Sequence, residues 1–167
     1  SPNMVVVHGS VPANNIRELI ALAKAKPDTL NYGIGNFGSA THLAGQLFQV
    51  MSQTKFVTVP YKGTGPAMTA LLAGEVQLMC PTLSSGMPGV KAGRLRALAV
   101  TSERPTTLAP GLPTVNESGL PGYESSSAYA VFAPAKTPAN IIGVLNQAIV
   151  KYLQTPEIKE KTIAAGM

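Results

Sequence analysis

The sequence predicts an α/β protein with a mostly parallel central sheet and helices on both of its faces. Short apolar runs rich in Val, Ile and Leu alternate along the chain with longer segments whose apolar residues recur at helical spacing. The 167 residues are 45% hydrophobic, enough to bury a core, and 16 glycines and 14 prolines provide many short turns. Strands and helices that alternate in this way form parallel sheets covered on both sides.

The first strand and the first helix have clear boundaries. Met4–His8 is a β-branched apolar run, which is typical of a buried strand. Asn14 or Asn15 caps the helix, and the helix stops at Lys26 because the residue before Pro27 disfavours the α region. The apolar face of this helix consists of Ile16, Leu19, Ile20 and Ala23.

The central unit of the chain is a strand, a glycine loop and a helix. The strand spans Leu30–Ile34, the loop spans Gly35–Gly38, and Ser39 or Thr41 caps the helix that follows. Free N–H groups at the positive end of this helix suit a small anion. Helical spacing predicts that the buried face consists of Leu43, Leu47, Val50 and Met51.

A second unit of the same kind follows. It consists of a strand over Phe56–Val59, a glycine loop that contains Tyr61-Lys62-Gly63, and a helix over Pro66–Ala73 that ends at Gly74. Glu75–Cys80 predicts another strand. Ligands of parallel sheets bind at the carboxyl ends of the strands, so both glycine loops lie on the predicted ligand-binding edge.

The rest of the chain contains longer loops and the last predicted elements. They are a helix over Thr82–Ala92 that is broken or starts late near Pro88, a strand over Arg96–Thr101, a loop over Glu103–Tyr123 with a helical turn at Val115–Ser118, a strand over Ser127–Ala133, a helix from Thr137 or Pro138 that carries Ile141, Ile142, Leu145, Ile149 and Leu153, and a helix from Pro156 through Ile163.

The first glycine loop partly matches two phosphate-binding motifs. Gly33, Gly35 and Gly38 fit the G-x-G-x-x-G dinucleotide fingerprint, which also needs an acidic residue roughly 20 positions further on. No Asp or Glu occurs between Asp28 and Glu75, and the helix opens without the Lys of a P-loop. The loop is therefore either an uncharged helix N-terminus that receives an anion or a tight turn that binds nothing.

Composition argues against two classes of function. The net charge is +5, but the basic residues are dispersed and not interleaved with aromatic residues, so nucleic acid is not an expected partner. A mildly positive field does suit small anionic ligands. The sequence contains no apolar run long enough to span a membrane.

Side chains for catalysis or metal binding are sparse. His8 and His42 are the only histidines and lack metal-ligand spacing, and Cys80 has no base paired with it in the sequence. We therefore expect no metal ion, no cofactor and no enzymatic activity, since the chain has the residues to bind a ligand rather than to convert one. His42, in the first turn of the loop helix, either packs locally or supports the anion loop.

Several motifs occur in an order known from one protein family. They are Val5-Val6-Val7-His8, residues 16–24, residues 35–45, residues 59–63, residues 93–101, residues 112–115 and residues 119–123. In these motifs the chain resembles, over essentially its whole length, the Bug-type extracytoplasmic solute receptors. Those receptors are the substrate-binding subunits of tripartite tricarboxylate transporters.

The resemblance implies one lobe of a type II periplasmic binding protein. Residues 1–12 are then a crossover strand from a missing first lobe, residues 13–126 the second lobe, and residues 127–167 the return crossover strand and truncated C-terminal helices. Both chain ends are expected to be cuts, since the start leads into a strand without a signal peptide and the chain stops at Gly166-Met167.

The resemblance also implies a ligand, partners and site residues. The ligand is a small dicarboxylate, tricarboxylate or aromatic acid in the periplasm, and the partners are the first lobe and a membrane permease. Backbone N–H groups and a Ser or Thr hydroxyl hold one carboxylate of the ligand. The matching positions are Gly35, Asn36, Phe37, Gly38, Ser39, Ala40, Thr41, Tyr61, Lys62 and Gly63.

One position departs from the family pattern, and two other functions stay open. The family commonly carries an aromatic residue and then Asp where this chain has Cys80-Pro81. This difference disfavours a ligand with an ammonium group.

The open alternatives are an effector-binding sensor domain of the same fold and a nucleotide-binding oxidoreductase fragment. An isolated lobe is expected to expose the apolar face of the Ile141–Leu153 helix or to bury it against a second copy.

Overall fold

The computed structural model describes residues 2–164, with side chains placed through residue 162, so the chain end at Gly166-Met167 lies outside the described residues. The strands are β1 (Met4–His8), β2 (Asn31–Ile34), β3 (Val57–Pro60), β4 (Leu78–Met79) and β5 (Leu95–Val100). The helices are α1 (Ile16–Ala25), α2 (Ala40–Ser52), α3 (Thr64–Ala73), α4 (Leu83–Lys91), α5 (Ala139–Leu153) and α6 (Pro156–Ala164).

The strands form one sheet in the order β3-β2-β4-β1-β5. β2 is parallel to both β3 and β4, whereas β1 is antiparallel to both of its neighbours, β4 and β5. All strands except β1 therefore run in the same direction, as the predicted mostly parallel sheet requires. The carboxyl ends of β2, β3 and β4 consequently lie along one edge of the sheet.

Helices cover both faces of the sheet, and the alternation of side chains along β1 shows how. Val5 and Val7 belong to a core cluster with the buried residues of α1 and α2, whereas Met4 and Val6 belong to a second cluster with those of α3 and α4. A strand buried on both faces reads as a continuous apolar run, which is what Met4–His8 shows.

The buried face of α2 differs from the predicted one. Its buried residues are Thr41, Ala44, Gly45, Phe48 and Ser52. Leu43 and Val50, predicted to be buried, are 57% and 74% exposed. The prediction was wrong for these two residues, whereas Leu47 and Met51 do pack, partly buried, against the first core cluster. It weighed apolarity alone, but close packing of α2 on the sheet requires a small residue. A Cβ at Gly45 would lie 2.2 Å from Cε1 of Tyr32, so only glycine fits there.

Two buried tyrosines hold the N-terminal half of α2 against the sheet. The Tyr32 hydroxyl donates a hydrogen bond to the carbonyl oxygen of Thr41, and the Tyr123 hydroxyl donates to that of Ala44 at 3.0 Å. Burial raises the pKa of both phenols above the usual range, so both hydroxyls keep the proton that they donate. The position of α2 therefore depends on residues from β2 and from the distant 103–123 loop.

Several predicted boundaries also change. α4 is continuous through Pro88, which removes a single helix hydrogen bond on an exposed side of the helix. β4 is limited to Leu78–Met79, because Gln77 instead donates its N–H to the Asn31 carbonyl and its side chain accepts from the Asn31 N–H. The predicted turn within the 103–123 loop is present at residues 115–119.

The predicted strand over Ser127–Ala133 is not formed. Ser126 makes one antiparallel bridge with Pro2, and beyond it the described residues provide no strand for residues 128–133 to pair with. Tyr129, Val131 and Phe132 are 71%, 80% and 89% exposed. The helix that follows, α5, likewise has no buried residue.

The tight contact between α2 and the sheet leads to a first prediction. Gly45→Ala would place a methyl group inside the Tyr32 ring, and overpacking of this kind costs about 1–3 kcal/mol. We expect a clear fall in the melting temperature, measured by differential scanning calorimetry.

Gly143→Ala in α5 is the matched control. Its added Cβ meets no heavy atom within 4 Å, and replacing a helical glycine by alanine favours the helix. This variant should melt at or slightly above the temperature of the parent chain. Equal melting temperatures for Gly45→Ala and the parent would contradict the packing described here.

Candidate anion-binding site

The two predicted glycine loops lie side by side at the carboxyl ends of β2 and β3. The Ile34 carbonyl accepts a hydrogen bond from the Tyr61 N–H, and the Gly35 carbonyl accepts one from the Gly63 N–H, each at 2.9 Å. These bonds continue the parallel pairing of the strands into the loops. The structure thus brings together both groups of residues that the sequence predicted for the site.

Gly35 permits the close approach of the loops. A Cβ at this position would lie 3.0 Å from the amide nitrogen of Thr64 and 3.1 Å from the carbonyl carbon of Gly63. Both atoms belong to the backbone, which cannot move aside as a flexible side chain could. The glycine is therefore needed for space.

The hydroxyl groups of the first loop are engaged within the loop. Ser39 is the N-cap of α2, and its Oγ donates to the Asn36 carbonyl at 2.6 Å. The contact of 2.9 Å between Ser39 Oγ and Thr41 Oγ1 then has Thr41 as its donor, because a hydroxyl carries one proton. In this arrangement neither hydroxyl has a proton left for a carboxylate, and main-chain N–H groups are the remaining donors.

Two of the loop amides are also engaged internally. The Gly38 N–H donates to Nδ1 of His42 at 3.0 Å, and the Ser39 N–H donates to the Asn36 carbonyl at 3.3 Å. Within residues 2–164 no hydrogen bond is recorded for the N–H groups of Asn36, Phe37, Ala40 and Thr41. The first loop therefore offers four main-chain donors at the positive end of α2.

The second loop adds donors from the start of α3. Gly63, at φ +108°, is the N-cap of this helix without a capping side chain. The N–H groups of Thr64 and Gly65 have no recorded partner in the described part of the chain. Two helix N-termini thus meet at one edge of the sheet. Thr64 and Gly65 were not predicted as site residues, because the sequence pattern places the start of α3 at Pro66.

The side chains of the second loop differ in their surroundings. Lys62 is exposed, so its ammonium group can approach an anion from solvent. Tyr61 packs partly against the second core cluster, and the pKa of its phenol is raised by burial and by the negative charge of Glu75. Tyr61 therefore remains a neutral hydroxyl at physiological pH.

A third helix N-terminus follows β4 on the same edge. Thr82 is the N-cap of α4, and its Oγ1 lies 3.0 Å from Oγ of both Ser84 and Ser85. These residues were not predicted as site residues. Their order in the chain could have indicated that they lie near the site, since they too follow a strand that is parallel to β2.

Cys80 and Pro81 lie in the interior rather than on the ligand-binding edge. The Cys80 side chain is 2% exposed, and burial raises the pKa of its thiol to about 12. Such a thiol is protonated and a poor nucleophile at neutral pH. Pro81 is also buried. The described residues therefore show neither side chain facing a ligand.

A groove of about 830 Å³ lies elsewhere on the molecule, between α4, β5 and residues 108–112. β5 is the edge strand furthest from β3, so the groove does not include either glycine loop.

Within the described residues, no group of three or more potential His, Cys, Asp or Glu metal ligands is present. None of the described helices is both long enough and apolar enough to cross a bilayer.

Comparison with known proteins identifies relatives in one family of receptors. Protein BugT of Bordetella pertussis is 34% identical over 165 residues, which are 99% of this chain and 51% of that protein. A solved structure of an R. palustris protein with adipate superposes with a TM-score of 0.95 at 36% identity, covering 99% of this chain and 55% of the other. MatC from Rhodopseudomonas palustris, solved with bound malate, gives 0.88 at 27% identity, covering 99% and 56%.

The chain thus spans about half the length of the curated relatives that it matches. The fold of the solved relatives is that of periplasmic binding proteins, which confirms the predicted fold class. The model of one family, the tripartite tricarboxylate transporter family receptor, matches residues 1–167. Its match over the whole chain, together with the similarity to the Bug proteins, shows that this chain belongs to the tripartite tricarboxylate transporter family of receptors.

Proposed function

We propose that this chain is the second lobe of a periplasmic receptor that captures a small carboxylate and delivers it to the permease of a tripartite tricarboxylate transporter. One observation carries the proposal. Six main-chain N–H groups at the start of α2 and α3, those of Asn36, Phe37, Ala40, Thr41, Thr64 and Gly65, have no partner among the described residues. The starts of the two helices lie side by side, because the Gly63 N–H donates to the Gly35 carbonyl.

These donors suit a carboxylate for electrostatic reasons. The helix dipoles place partial positive charge at both N-termini, and an anion there is stabilised without a countercharged side chain. No Asp or Glu occurs in residues 29–74, and Lys62 adds a positive charge. A hydrogen bond to a charged group contributes about 1.5–3 kcal/mol, so a few such bonds suffice for specific capture.

The ligands of the relatives support the class of ligand proposed. Adipate and malate, present in two of the solved relatives, are both dicarboxylates. They differ in length and in hydroxylation, and the feature that they share is the carboxylate. We infer that the two loops of this chain hold one carboxylate, while other residues select the rest of the molecule. The receptor binds and releases the ligand without chemical change.

The proposed division into segments is supported by contacts where the chain enters and leaves the sheet. Residues 1–12 would be the crossover from a first lobe, and residues 127–167 the return crossover and C-terminal helices. Pro2 and Ser126 form an antiparallel bridge, and Ser127 Oγ donates to Asn3 Oδ1 at 2.9 Å. The two crossovers therefore run side by side, as a connection between two lobes requires. A first lobe would supply partners for residues 128–133 and for α5.

Ligand binding is the direct test of this function. We expect adipate or malate to shift the backbone amide signals of Asn36, Phe37, Ala40 and Thr41 in ¹H–¹⁵N correlation spectra of this chain. The affinity should be weak, with a Kd of about 1 mM, because half of the binding cleft is absent. Citrate and benzoate extend the test to a tricarboxylate and an aromatic acid.

Adipamide is the matched control ligand, since it has the length of adipate without the negative charge. It should leave these signals unchanged at the same concentration. Equal binding of adipamide and adipate, or no response to any of the acids, would contradict the proposal.

The contact between the loops leads to a second test of the site. Gly35→Ala would push the second loop away from the first, because the new methyl group meets the backbone at Gly63 and Thr64. We expect at least a tenfold loss of adipate affinity in the same titration. Gly143→Ala, with an open site on α5, should bind like the parent chain. Unchanged affinity in Gly35→Ala would show that the loops need not touch.

The exposed face of α5 predicts self-association of this chain. Ile141, Leu145 and Ile149 are 45%, 48% and 37% exposed and lie on one side of the helix. Without a first lobe, this face is expected to pair with a second copy, which sedimentation velocity would detect as a dimer. Leu145→Lys should give a monomer, whereas Gln147→Lys, also on an exposed position, should not. A parent chain that is monomeric at all concentrations would contradict the prediction.

A further inference from the structure

His42 contacts two successive residues of the first glycine loop. Its Nδ1 accepts the Gly38 N–H at 3.0 Å, and its imidazole lies edge-on to the Phe37 ring, with centroids 5.3 Å apart and planes at 85°. Phe37 is 67% exposed, so the imidazole is a major support for that side chain. One side chain from the first turn of α2 thus folds back over the loop that precedes the helix.

The hydrogen bond determines the tautomer of the ring in this conformation. Nδ1 can accept the Gly38 N–H only when it carries no proton itself, so the ring hydrogen lies on Nε2. Gly38, the donor, has φ +76°, in the left-handed region that glycine tolerates best. His42 therefore stabilises the one loop residue whose backbone conformation differs most from its neighbours.

We propose that His42 is a positioning residue of the carboxylate loop. By accepting the Gly38 N–H it holds the loop in a conformation in which the N–H groups of Asn36 and Phe37, before Gly38, and of Ala40 and Thr41, after it, have no partner among the described residues. This inference rests on the proposed function, because it assigns His42 a role in binding a carboxylate. His42 acts through the loop backbone.

Loss of the hydrogen bond between Gly38 and His42 would lower the population of this loop conformation. Without the acceptor, the Gly38 N–H loses its partner in the described structure, and conformations that hydrate it become more populated. A net hydrogen-bond contribution of about 1 kcal/mol corresponds to roughly a fivefold change in population. Apparent ligand affinity falls in proportion to the competent fraction, by up to the same factor.

The first arm of the test needs no ligand. In the ¹⁵N-labelled chain, a scalar coupling across the hydrogen bond is expected between the Gly38 amide nitrogen and Nδ1 of His42, and the ring should show the Nε2–H tautomer. Hydrogen exchange of the Gly38 amide should be about fivefold faster in His42→Leu. A ring protonated on Nδ1, or unchanged exchange in His42→Leu, would overturn the proposal.

The second arm of the test distinguishes the hydrogen-bond acceptor of His42 from the size of its ring. In His42→Asn the side-chain oxygen is attached at the same distance from the backbone as Nδ1, and Asn and His have similar helix propensities. We expect His42→Asn to keep the slow exchange of Gly38 and to bind adipate within about twofold of the parent chain. His42→Leu should bind more weakly than His42→Asn, by up to about fivefold relative to the parent chain.

Leu43→Asn is the matched control, because Leu43 is exposed in the same helical turn. It should bind and exchange like the parent chain. If His42→Asn loses as much affinity as His42→Leu, ring packing rather than the acceptor is responsible and the proposal fails. If the parent chain binds none of the acids, the proposed function fails instead, and the control of the loop by His42 is then decided by the coupling and exchange measurements.

Discussion

The hydrogen bond from the Gly63 N–H to the Gly35 carbonyl is the contact on which the candidate site depends. It extends the pairing of β2 and β3 by one step beyond the strands and brings the starts of α2 and α3 together. Neither helix N-terminus is a specific site alone, since every helix has unpaired N–H groups at its start. We propose that two such ends, held side by side by the backbone, allow several donors to reach one anion.

The architecture of the sheet makes this contact possible. β2, β3 and β4 are neighbours that run in the same direction, so the loops after them lie on one edge. β1 runs in the opposite direction and places Asn3, at its start, on that same edge, beside Thr82. The residues that lead into β1 therefore lie on the same edge of the sheet as the loops.

Much of the fold could be predicted from local patterns. Met4–His8 and the Asn15-capped helix have the boundaries expected from a β-branched run and from a side-chain cap. Both depend on residues that are close in sequence, which is why propensity and capping rules suffice. The strand expected over Ser127–Ala133 failed for the opposite reason. A strand requires a neighbour, and local sequence does not show whether one is present.

The candidate site shows the same division. The glycines, the capping Ser39 and the absence of acidic residues between Asp28 and Glu75 are visible in the sequence. They predict an anion site at this loop, and this remains a prediction. Which N–H groups remain available is a property of the folded loop, because the Ser39 and Thr41 hydroxyls and the Gly38 amide could each have been donors to a ligand. Their engagement with Asn36, Ser39 and His42 follows from distances that no spacing rule contains.

The sequence by itself determined the class of fold, the order of its elements and the loops that could receive an anion, because these follow from residue type and periodicity. Tertiary structure alone decided the orientation of α2. Helical spacing favoured Leu43 and Val50 for the core, but the core accepted Gly45 because the Tyr32 ring occupies the space that a larger side chain would need. Hydrophobicity indicates which residues gain from burial, whereas the shape of the opposite surface determines which of them can approach it.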